Sequence, residues 1–288
     1  MSVARSFRQE LVALFGQPVE ENPTQAMIEA AFRAAGLDWR YLTIEVAPQG
    51  LGDAVRGLRA MGLRGANCTL PHKVAVMEHL DALSPEARAI GAVNCIVNES
   101  GRLVGHNTDG RGFMESLRTI ADPSGQDVVM LGAGGAARAI GVELARAGAR
   151  SITIVNRSAR RGQALSDHLA SAGARASFQP LAGELRLPPA TGIFVNATSI
   201  GLFPAVDARV PVALDSLRPG LIVADVIPNP PRTRLLRDAE ARGCAVLDGL
   251  GMLVNQGVIG IRLWSGIEPD AGVMRSALES IFGAPADA

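Results

Sequence analysis

A glycine-rich turn follows an apolar stretch at residues 128–131 and precedes a run of small residues. Its sequence, Gly132-Ala133-Gly134-Gly135-Ala136-Ala137, has the spacing GxGxxA. Glycine at 132 permits a tight turn, glycine at 134 lets the backbone approach a pyrophosphate, and alanine at 137 lets the following helix pack close to the sheet. The free N–H groups at the start of that helix bind phosphate. We therefore predict a dinucleotide-binding site made by Gly132, Ala133, Gly134, Gly135 and Ala136.

Three arginines, Arg157, Arg160 and Arg161, stand just after the next apolar stretch, 152–155. An acidic residue there would bind the ribose 2′-hydroxyl of NAD, whereas guanidinium groups suit the 2′-phosphate of NADP. The alternative is a solvated helix start, but arginine is unfavourable at the positive end of a helix dipole unless an anion is present. We expect NADP as the cofactor, bound chiefly by Arg157 and Arg161.

Six segments resemble motifs of the shikimate dehydrogenase family, in the family's order, from about residue 13 to residue 270. They are residues 65–73 (GxNVTxPxK in the family), 92–97 (AxNT), 105–110 (GxNTD), 156–161 (the NADP clasp), 196–201 (NATSxG) and 248–256 (DGxxMLxxQ). The resemblance implies an NADP-dependent oxidoreductase that interconverts 3-dehydroshikimate and shikimate, or a closely related cyclic hydroxy acid, by hydride transfer.

Carried over by position, Lys73 and Asp109 would be the catalytic acid/base pair. Reduction of a ketone builds negative charge on its oxygen, so a proton donor must lie within hydrogen-bond reach. A lysine ammonium can donate that proton and its amine can accept it in reverse, while the aspartate orients the lysine and contacts a substrate hydroxyl. A surface ion pair is the alternative. Lys73 follows a predicted strand end, however, and Asp109 stands between the predicted domains, where clefts form.

The resemblance also assigns Thr69, Asn94 and Gln256 to the hydroxyl groups of the substrate. Each is an uncharged hydrogen-bonding side chain, as recognition of a polyol requires, and each could otherwise be a turn or cap residue. The same resemblance implies further cofactor contacts at Asn156, Ser158, Thr198, Val226 and Gly249.

This sequence departs from the family pattern at two places where the family has residues that bind the substrate carboxylate. The family's paired serines are replaced by a shorter segment in which Asn22 can donate one hydrogen bond, while Glu20 and Glu21 would repel a carboxylate if they faced it. Pro228 stands where the family has a tyrosine. We expect a divergent paralogue that keeps the hydride-transfer residues and acts weakly on shikimate, or prefers quinate, an aminoshikimate or another cyclic hydroxy acid.

Apolar runs alternate with helix-period segments, which predicts an α/β fold with largely parallel sheets. A substrate domain at 1–110 and a doubly wound, Rossmann-type domain at 111–250 would flank the cleft, with helices in 251–288 packing back on the first domain. The expected strands are 11–15, 41–46, 65–70, a hairpin at 92–97 and 102–105, 127–131, 151–155, 192–196, 221–225 and 244–247. The expected helices are 24–35, 51–61, 136–147, 159–172, 234–242, 252–264 and 271–282.

Charge and cysteine content limit the classes of partner. Lys plus Arg equals Asp plus Glu at 28 each, so no basic field for nucleic acid or an anionic membrane is expected. Cys68, Cys95 and Cys244 form no CxxC pair and no metal pattern with histidine, which predicts free thiols and no metal. Without a signal peptide or an 18-residue apolar run, we expect a cytoplasmic enzyme of a small-molecule substrate, with a homodimer possible.

Two rival interpretations remain at this stage. A non-catalytic NADP-binding or redox-sensing module would explain the glycine turn and the arginines but leaves Lys73 and Asp109 without a role. A folate-type dehydrogenase combines a similar architecture with a lysine, but the Asn-Thr-Asp sequence at 107–109 argues against it.

Overall fold

The computed structural model describes residues 8–282. Residues 1–7 and 283–288, which the expected domain ranges include, lie outside the described residues. Two six-stranded sheets form the protein, one in each half of the chain, and a long cleft separates them. None of the helices in residues 8–282 is long and apolar enough to cross a membrane.

The first sheet is mixed and has the strand order β2-β1-β3-β5-β6-β4. Its strands are Glu10–Gly16 (β1), Trp39–Glu45 (β2), Gly65–Cys68 (β3), Ala82–Leu83 (β4), Cys95–Glu99 (β5) and Arg102–His106 (β6), with helices Thr24–Ala34 (α1), Leu51–Met61 (α2) and Pro85–Ile90 (α3). The central β1 runs parallel to β2 and β3, whereas β5 runs antiparallel to β3 and β6. The β4–β6 pairing is also parallel. The predicted hairpin is confirmed, and β5 accounts for the two antiparallel pairings of this otherwise parallel sheet.

The second sheet is entirely parallel, with the order β12-β11-β10-β7-β8-β9. Its strands are Asp127–Leu131 (β7), Ser151–Asn156 (β8), Ala176–Pro180 (β9), Thr191–Asn196 (β10), Ile222–Asp225 (β11) and Ala245–Leu247 (β12), with helices Gly135–Arg146 (α5), Ala159–Ser171 (α6) and Arg234–Glu240 (α7). Strand order reverses on either side of β7, which is the doubly wound arrangement. The predicted α/β class with a Rossmann-type sheet is confirmed.

The two C-terminal helices, Gly249–Ser265 (α8) and Ala271–Phe282 (α9), pack against α1 of the first half. Trp264 of α8 donates its indole N–H to the carbonyl of Ile96 in β5 at 2.9 Å. Glycine at 65 makes this approach possible, because a Cβ there would lie 2.1 Å from the same carbonyl oxygen. We call β1–β6 with α1–α3, α8 and α9 the first lobe, and β7–β12 with α5–α7 the second lobe.

One helix, Asp109–Leu117 (α4), joins the lobes and packs against both α5 and α8. The expected boundary near residue 110 therefore falls inside this helix, and the division of the chain into domains there stays a prediction. A Cβ at Gly110 would lie 2.6 Å from the carbonyl oxygen of Ala139, so the glycine allows α4 to lie close to α5. This close crossing places the first residue of α4 beside the start of α5.

Candidate active site

The cleft between the lobes has a volume of about 700 Å³ and lies at the carboxyl ends of β1, β3, β7, β8, β10 and β11. Ligands of open α/β sheets bind at this position, where the loops that follow the strands surround a crevice. Its charged lining residues, among those that the structure describes, are Glu21, Lys73, Asp109, Arg157 and Arg161.

Lys73 and Asp109 form an ion pair on the wall of this cleft, with Nζ 2.6 Å from Oδ2. Lys73 lies in the turn after β3, and Asp109 is the first residue of α4. Both side chains are largely buried, at 16% and 6% exposed, so this is not a solvated surface pair. The stem of Lys73 passes Gly135 at the start of α5, where a Cβ would lie 3.0 Å from Cδ. The predicted acid/base pair thus lies directly against the glycine-rich turn.

Hydrogen bonds fix the second oxygen of the Asp109 carboxylate. Asn94 Nδ2 donates to Asp109 Oδ1 and to Thr108 Oγ1, both at 2.9 Å, while Asn94 Oδ1 accepts the N–H of Thr108 at 2.7 Å. The N–H of Asp109 donates to Asn107 Oδ1 at 3.1 Å. Because each carboxylate oxygen has a partner, the carboxylate is oriented before any substrate arrives.

Asn67, Asn107 and Thr108 belong to this network, although the sequence analysis assigned them no role. Asn67 Nδ2 donates to the carbonyl of Asn94 at 3.0 Å, and Gln256 Oε1 lies 3.4 Å from both Asn94 Nδ2 and Thr108 Oγ1. The sequence does mark these positions, because all three lie inside segments 65–73 and 105–110, which resemble motifs of the shikimate dehydrogenase family.

The predicted substrate residues Thr69, Asn94, Gln256 and Asn22 all line the cleft. Asn22 Oδ1 accepts the N–H of Thr24 at 3.0 Å at the start of α1. Its Nδ2 makes no hydrogen bond to the described residues and remains available to a ligand. The structure therefore places the four residues in the same cleft as the Lys73–Asp109 pair, and Asn94 contacts Asp109 directly.

The glycine-rich turn has the geometry that its sequence predicts. Gly132 has φ +117°, a region that L side chains rarely adopt, and a Cβ there would lie 2.6 Å from the carbonyl oxygen of Ala197. A Cβ at Gly134 would have no heavy atom within 4 Å and would project into open space. Ala133, Gly135 and Ala136 complete the cleft lining at this point. A phosphate group therefore has room to approach the backbone at the N-terminus of α5.

Arg157 and Arg161 line the cleft beyond the end of β8, together with Asn156. Neither guanidinium is within salt-bridge distance of a carboxylate in residues 8–282, so both are free to bind an anion. Ser158 does not line the cleft; its Oγ accepts the N–H of Arg161 at 3.4 Å and caps α6. The predicted cofactor residues Thr198, Val226 and Gly249 line the same cleft.

The loops after β1 and β11 meet at another part of the cleft. Glu21 and Pro228 both line it, and Asn229 Nδ2 donates to the carbonyl of Glu21 at 3.1 Å, a hydrogen bond between the two lobes. The N–H of Phe203 donates to the carbonyl of Asn229 at 3.0 Å, which ties the loop after β10 to the same point. Three loops from two lobes therefore hold the backbone of Glu21 and Asn229 in place.

The three cysteine thiols are buried and do not provide a nucleophile in the cleft. Burial raises the pKa of the Cys68 thiol to about 12, even though the nearby Lys73 ammonium acts to lower it. Burial likewise raises the pKa of Cys95 far above its ordinary value. All three cysteines are free and buried. In residues 8–282, no group of His, Cys, Asp or Glu side chains is arranged to hold a metal ion.

Comparisons with known proteins agree with this geometry. Residues 14–96 match the model of the shikimate dehydrogenase substrate binding domain, residues 115–199 that of shikimate / quinate 5-dehydrogenase, and residues 249–279 that of the shikimate 5'-dehydrogenase C-terminal domain. The NADP(+) shikimate dehydrogenase of Moorella thermoacetica is 44% identical over 278 residues, covering 95% of this chain and 94% of that protein. The chain belongs to the shikimate dehydrogenase family.

Solved members of the family share the whole architecture. The ligand-free 5-ketofructose reductase of Gluconobacter sp. strain CHM43 is 53% identical with a TM-score of 0.88, covering 96% of this chain and 100% of that one. The shikimate 5-dehydrogenase of Thermus thermophilus, solved with NADP(H) and shikimate, is 36% identical with a TM-score of 0.84, covering 94% and 99%. Family members that resemble this chain therefore differ in the substrate for which they are named.

Proposed function

We propose that this protein is an NADP(H)-dependent oxidoreductase that interconverts a ketone and an alcohol on a polyhydroxylated substrate. The observation that carries the proposal is the Lys73–Asp109 ion pair, 2.6 Å long and largely buried, beside the glycine-rich turn. NADP(H) supplies or accepts the hydride. The open approach at Gly134 and the unpaired guanidinium groups of Arg157 and Arg161 fit its pyrophosphate and its 2′-phosphate.

In the direction of reduction, the Lys73 ammonium donates a proton to the carbonyl oxygen as that oxygen gains negative charge. Asp109 holds the ammonium in place through Oδ2 and accepts a hydrogen bond from a substrate hydroxyl. Asn94 keeps the carboxylate in its orientation from the other side, so little reorganisation is needed as charge develops. In the direction of oxidation, the neutral Lys73 amine takes the proton from the substrate alcohol.

The first candidate substrate pair is 3-dehydroshikimate and shikimate. The Moorella thermoacetica relative, which the chain matches over 94% of its length, is named an NADP(+) shikimate dehydrogenase. Thr69, Asn94, Gln256 and Asn22 offer uncharged hydrogen-bonding groups for the ring hydroxyls. Quinate and aminoshikimates are the nearest variants of the same class.

A second candidate is 5-ketofructose, and a specific observation favours it. The loops that should hold a substrate carboxylate contain Pro228 and Glu21, with no cation other than Lys73 near them in the described cleft lining. The protein from Gluconobacter that is 53% identical is a 5-ketofructose reductase, whose substrate carries no carboxylate. Both candidates require the same hydride transfer and the same acid/base pair.

Initial rates test the proposal, measured with NADPH and either 3-dehydroshikimate or 5-ketofructose, and with NADP+ and shikimate or quinate. Lys73→Ala should lower kcat by about 10²- to 10⁴-fold, the usual contribution of a general acid, while NADP+ affinity stays within a few-fold. Lys73→Arg is the matched control for charge, because it keeps a cation but removes the amine that can exchange a proton. Turnover at the full rate in Lys73→Ala, or NADP+ binding with no turnover of any ketone, would contradict the proposal.

The sequence provides a direct probe of the same group, because Lys73 is the only lysine among the 288 residues. Acetylation therefore modifies a single side-chain amine, apart from the chain terminus, and converts it to a neutral amide that cannot exchange a proton. We expect activity to fall in proportion to modification of Lys73, and NADP+ with substrate to slow that modification. Complete acetylation of Lys73 with full activity would separate Lys73 from the reaction.

A further inference from the structure

The side chain of Glu21 provides an unpaired negative charge beside the substrate residues. Glu21 is half-buried and lines the cleft, and its carboxylate makes no ion pair or hydrogen bond with residues 8–282. The neighbouring Glu20 is exposed and does not line the cleft. The two adjacent glutamates therefore differ in position, since only Glu21 lines the cleft.

The cations of the cleft do not neutralise Glu21. Arg157 and Arg161 follow β8 and lie where the adenosine end of the cofactor fits, and Lys73 is already paired with Asp109 at 2.6 Å. The part of the cleft lined by Glu21, Lys73 and Asp109 thus carries a net negative charge from Glu21. In a partly desolvated cleft, a substrate carboxylate near this group is disfavoured by like-charge repulsion.

Hydrogen bonds fix the chain around Glu21 at the wall of the cleft. Asn229 of the second lobe binds the carbonyl of Glu21, and Asn22, the next residue, is fixed by its hydrogen bond from Thr24. A carboxylate held in this way is also a good acceptor for a hydroxyl group, because charge-assisted hydrogen bonds are stronger than neutral ones. The same group can therefore attract one class of substrate and repel the other.

We infer that Glu21 is a specificity-determining residue that accepts a hydroxyl of an uncharged polyhydroxylated ketone and disfavours substrates that carry a carboxylate. This inference rests on the proposed function and chooses between its two candidate substrates. In the family pattern, paired serines and a tyrosine bind the substrate carboxylate. This chain lacks them, and we infer that Glu21 disfavours the carboxylate that they would bind.

The test compares Glu21→Gln with Glu20→Gln, which removes the same charge from the adjacent exposed position. Dissociation constants for shikimate and for fructose are measured by calorimetry with NADPH bound, because the reduced cofactor and an alcohol cannot react, and kcat/KM is measured with NADPH for 3-dehydroshikimate and 5-ketofructose. We expect Glu21→Gln to shift the preference towards the carboxylate ligand by about 3- to 10-fold, from the Coulomb interaction of two charges several ångströms apart in a partly solvated site. Glu20→Gln should leave the preference unchanged within about two-fold, because its charge is screened by solvent.

Salt provides a second arm of the same test. Raising the ionic strength should improve shikimate binding to the wild-type protein more than to Glu21→Gln, because screening weakens the repulsion only where it exists. Equal effects of salt on the wild-type protein and on Glu21→Gln, or a substrate preference in Glu21→Gln that equals that of the wild type at low salt, would overturn the inference. If the protein turns over none of the ketones, the proposed function fails, and the ratio of the two dissociation constants still decides the role of Glu21.

Discussion

Tyr41 donates its phenolic hydroxyl to Oδ1 of Asn67 at 2.7 Å, deep in the core of the first lobe. Asn67 donates in turn to the carbonyl of Asn94, and the Asn94 side chain holds Asp109. A continuous series of hydrogen bonds therefore connects a fully buried strand residue of β2 with the proposed acid/base pair. Burial raises the pKa of Tyr41 well above its ordinary value, so the hydroxyl stays protonated as a donor.

Tyr41→Phe removes this donor and leaves Oδ1 of Asn67 without a partner in a buried position. We expect the free energy of unfolding to fall by about 1–3 kcal/mol, the cost of an unsatisfied buried polar group. The variant should also lose several-fold in kcat, with NADP+ affinity unchanged, because Asn94 and Asp109 are held less firmly. Urea denaturation and initial rates measure the two effects. In an Asn67→Ala background the same substitution should cost much less, and equal costs in both backgrounds would show that the series is not coupled.

Alanine substitutions at Gly132 and Gly134 should affect different properties of the protein: stability at Gly132 and NADP+ binding at Gly134. Gly132→Ala introduces a Cβ at φ +117° and 2.6 Å from the Ala197 carbonyl, so we expect a loss of stability of about 2 kcal/mol or more. Gly134→Ala meets no heavy atom within 4 Å, so its stability should be close to that of the wild type. Its methyl group nevertheless occupies the space that a pyrophosphate would fill, which should raise the Kd for NADP+ by about 10-fold or more.

Thermal denaturation without cofactor and calorimetry with NADP+ separate the two glycine variants. The prediction is wrong if Gly134→Ala binds NADP+ as tightly as the wild-type protein, since the open space at Gly134 would then belong to no phosphate.

Arg157 and Arg161 should determine the preference for NADP over NAD. Replacing either by alanine removes a charge-assisted contact to the 2′-phosphate, so we expect KM for NADPH to rise by about 10-fold while KM for NADH changes little. Arg160 stands in the same turn of α6 but does not line the cleft, and Arg160→Ala is the control. Equal losses for NADPH and NADH, or an equal effect of Arg160→Ala, would contradict a role in binding the 2′-phosphate.

Regular strands were easiest to predict where apolar runs are continuous. The expected strand 127–131 agrees with β7, which is buried along four of its five residues. Strand β9, Ala176–Pro180, was missed because it lies at the sheet edge, is half-buried at best and has no apolar periodicity. Helix α8 was expected from residue 252 but begins at Gly249, since Asp248 caps it by accepting the N–H groups of Leu250 and Gly251. Helices α3 and α4 were missed, the latter because the expected domain boundary fell within it.

For the candidate site, the sequence predicted which residues take part but not how they are arranged. The types and order of the motif residues pointed to Lys73 and Asp109, but only the folded chain brings these residues, 36 apart, to 2.6 Å. The hydrogen bond between Asn229 and Glu21 joins residues 208 apart, and no local pattern indicates it. The sequence likewise could not say which of two adjacent glutamates faces the cleft, because that depends on how the loop after β1 meets the second lobe.

Asp225, at the end of β11, is a buried carboxyl group whose titration should be visible in the stability of the protein. It is 2% exposed, and it accepts hydrogen bonds from Asn196 Nδ2 at 3.0 Å, Thr233 Oγ1 at 2.8 Å and the N–H of Ile227 at 3.2 Å. Burial nevertheless outweighs these hydrogen bonds and raises the pKa of Asp225 from 3.8 to about 6. The group holds together the loops after β10 and β11, both of which line the cleft.

Because the folded-state pKa of Asp225 lies above the unfolded value, its stabilising effect is complete below about pH 4 and is lost as the pH rises through about 6. A difference of about two pKa units corresponds to about 3 kcal/mol at most. Asp225→Asn does not titrate, while all other groups titrate alike in both proteins. The free energy of unfolding of the wild type minus that of Asp225→Asn should therefore fall by up to about 3 kcal/mol between about pH 4 and pH 7. Urea denaturation followed by tryptophan fluorescence at several pH values measures this difference. A difference that stays constant across the range would mean that the pKa of Asp225 is the same in the folded and the unfolded protein.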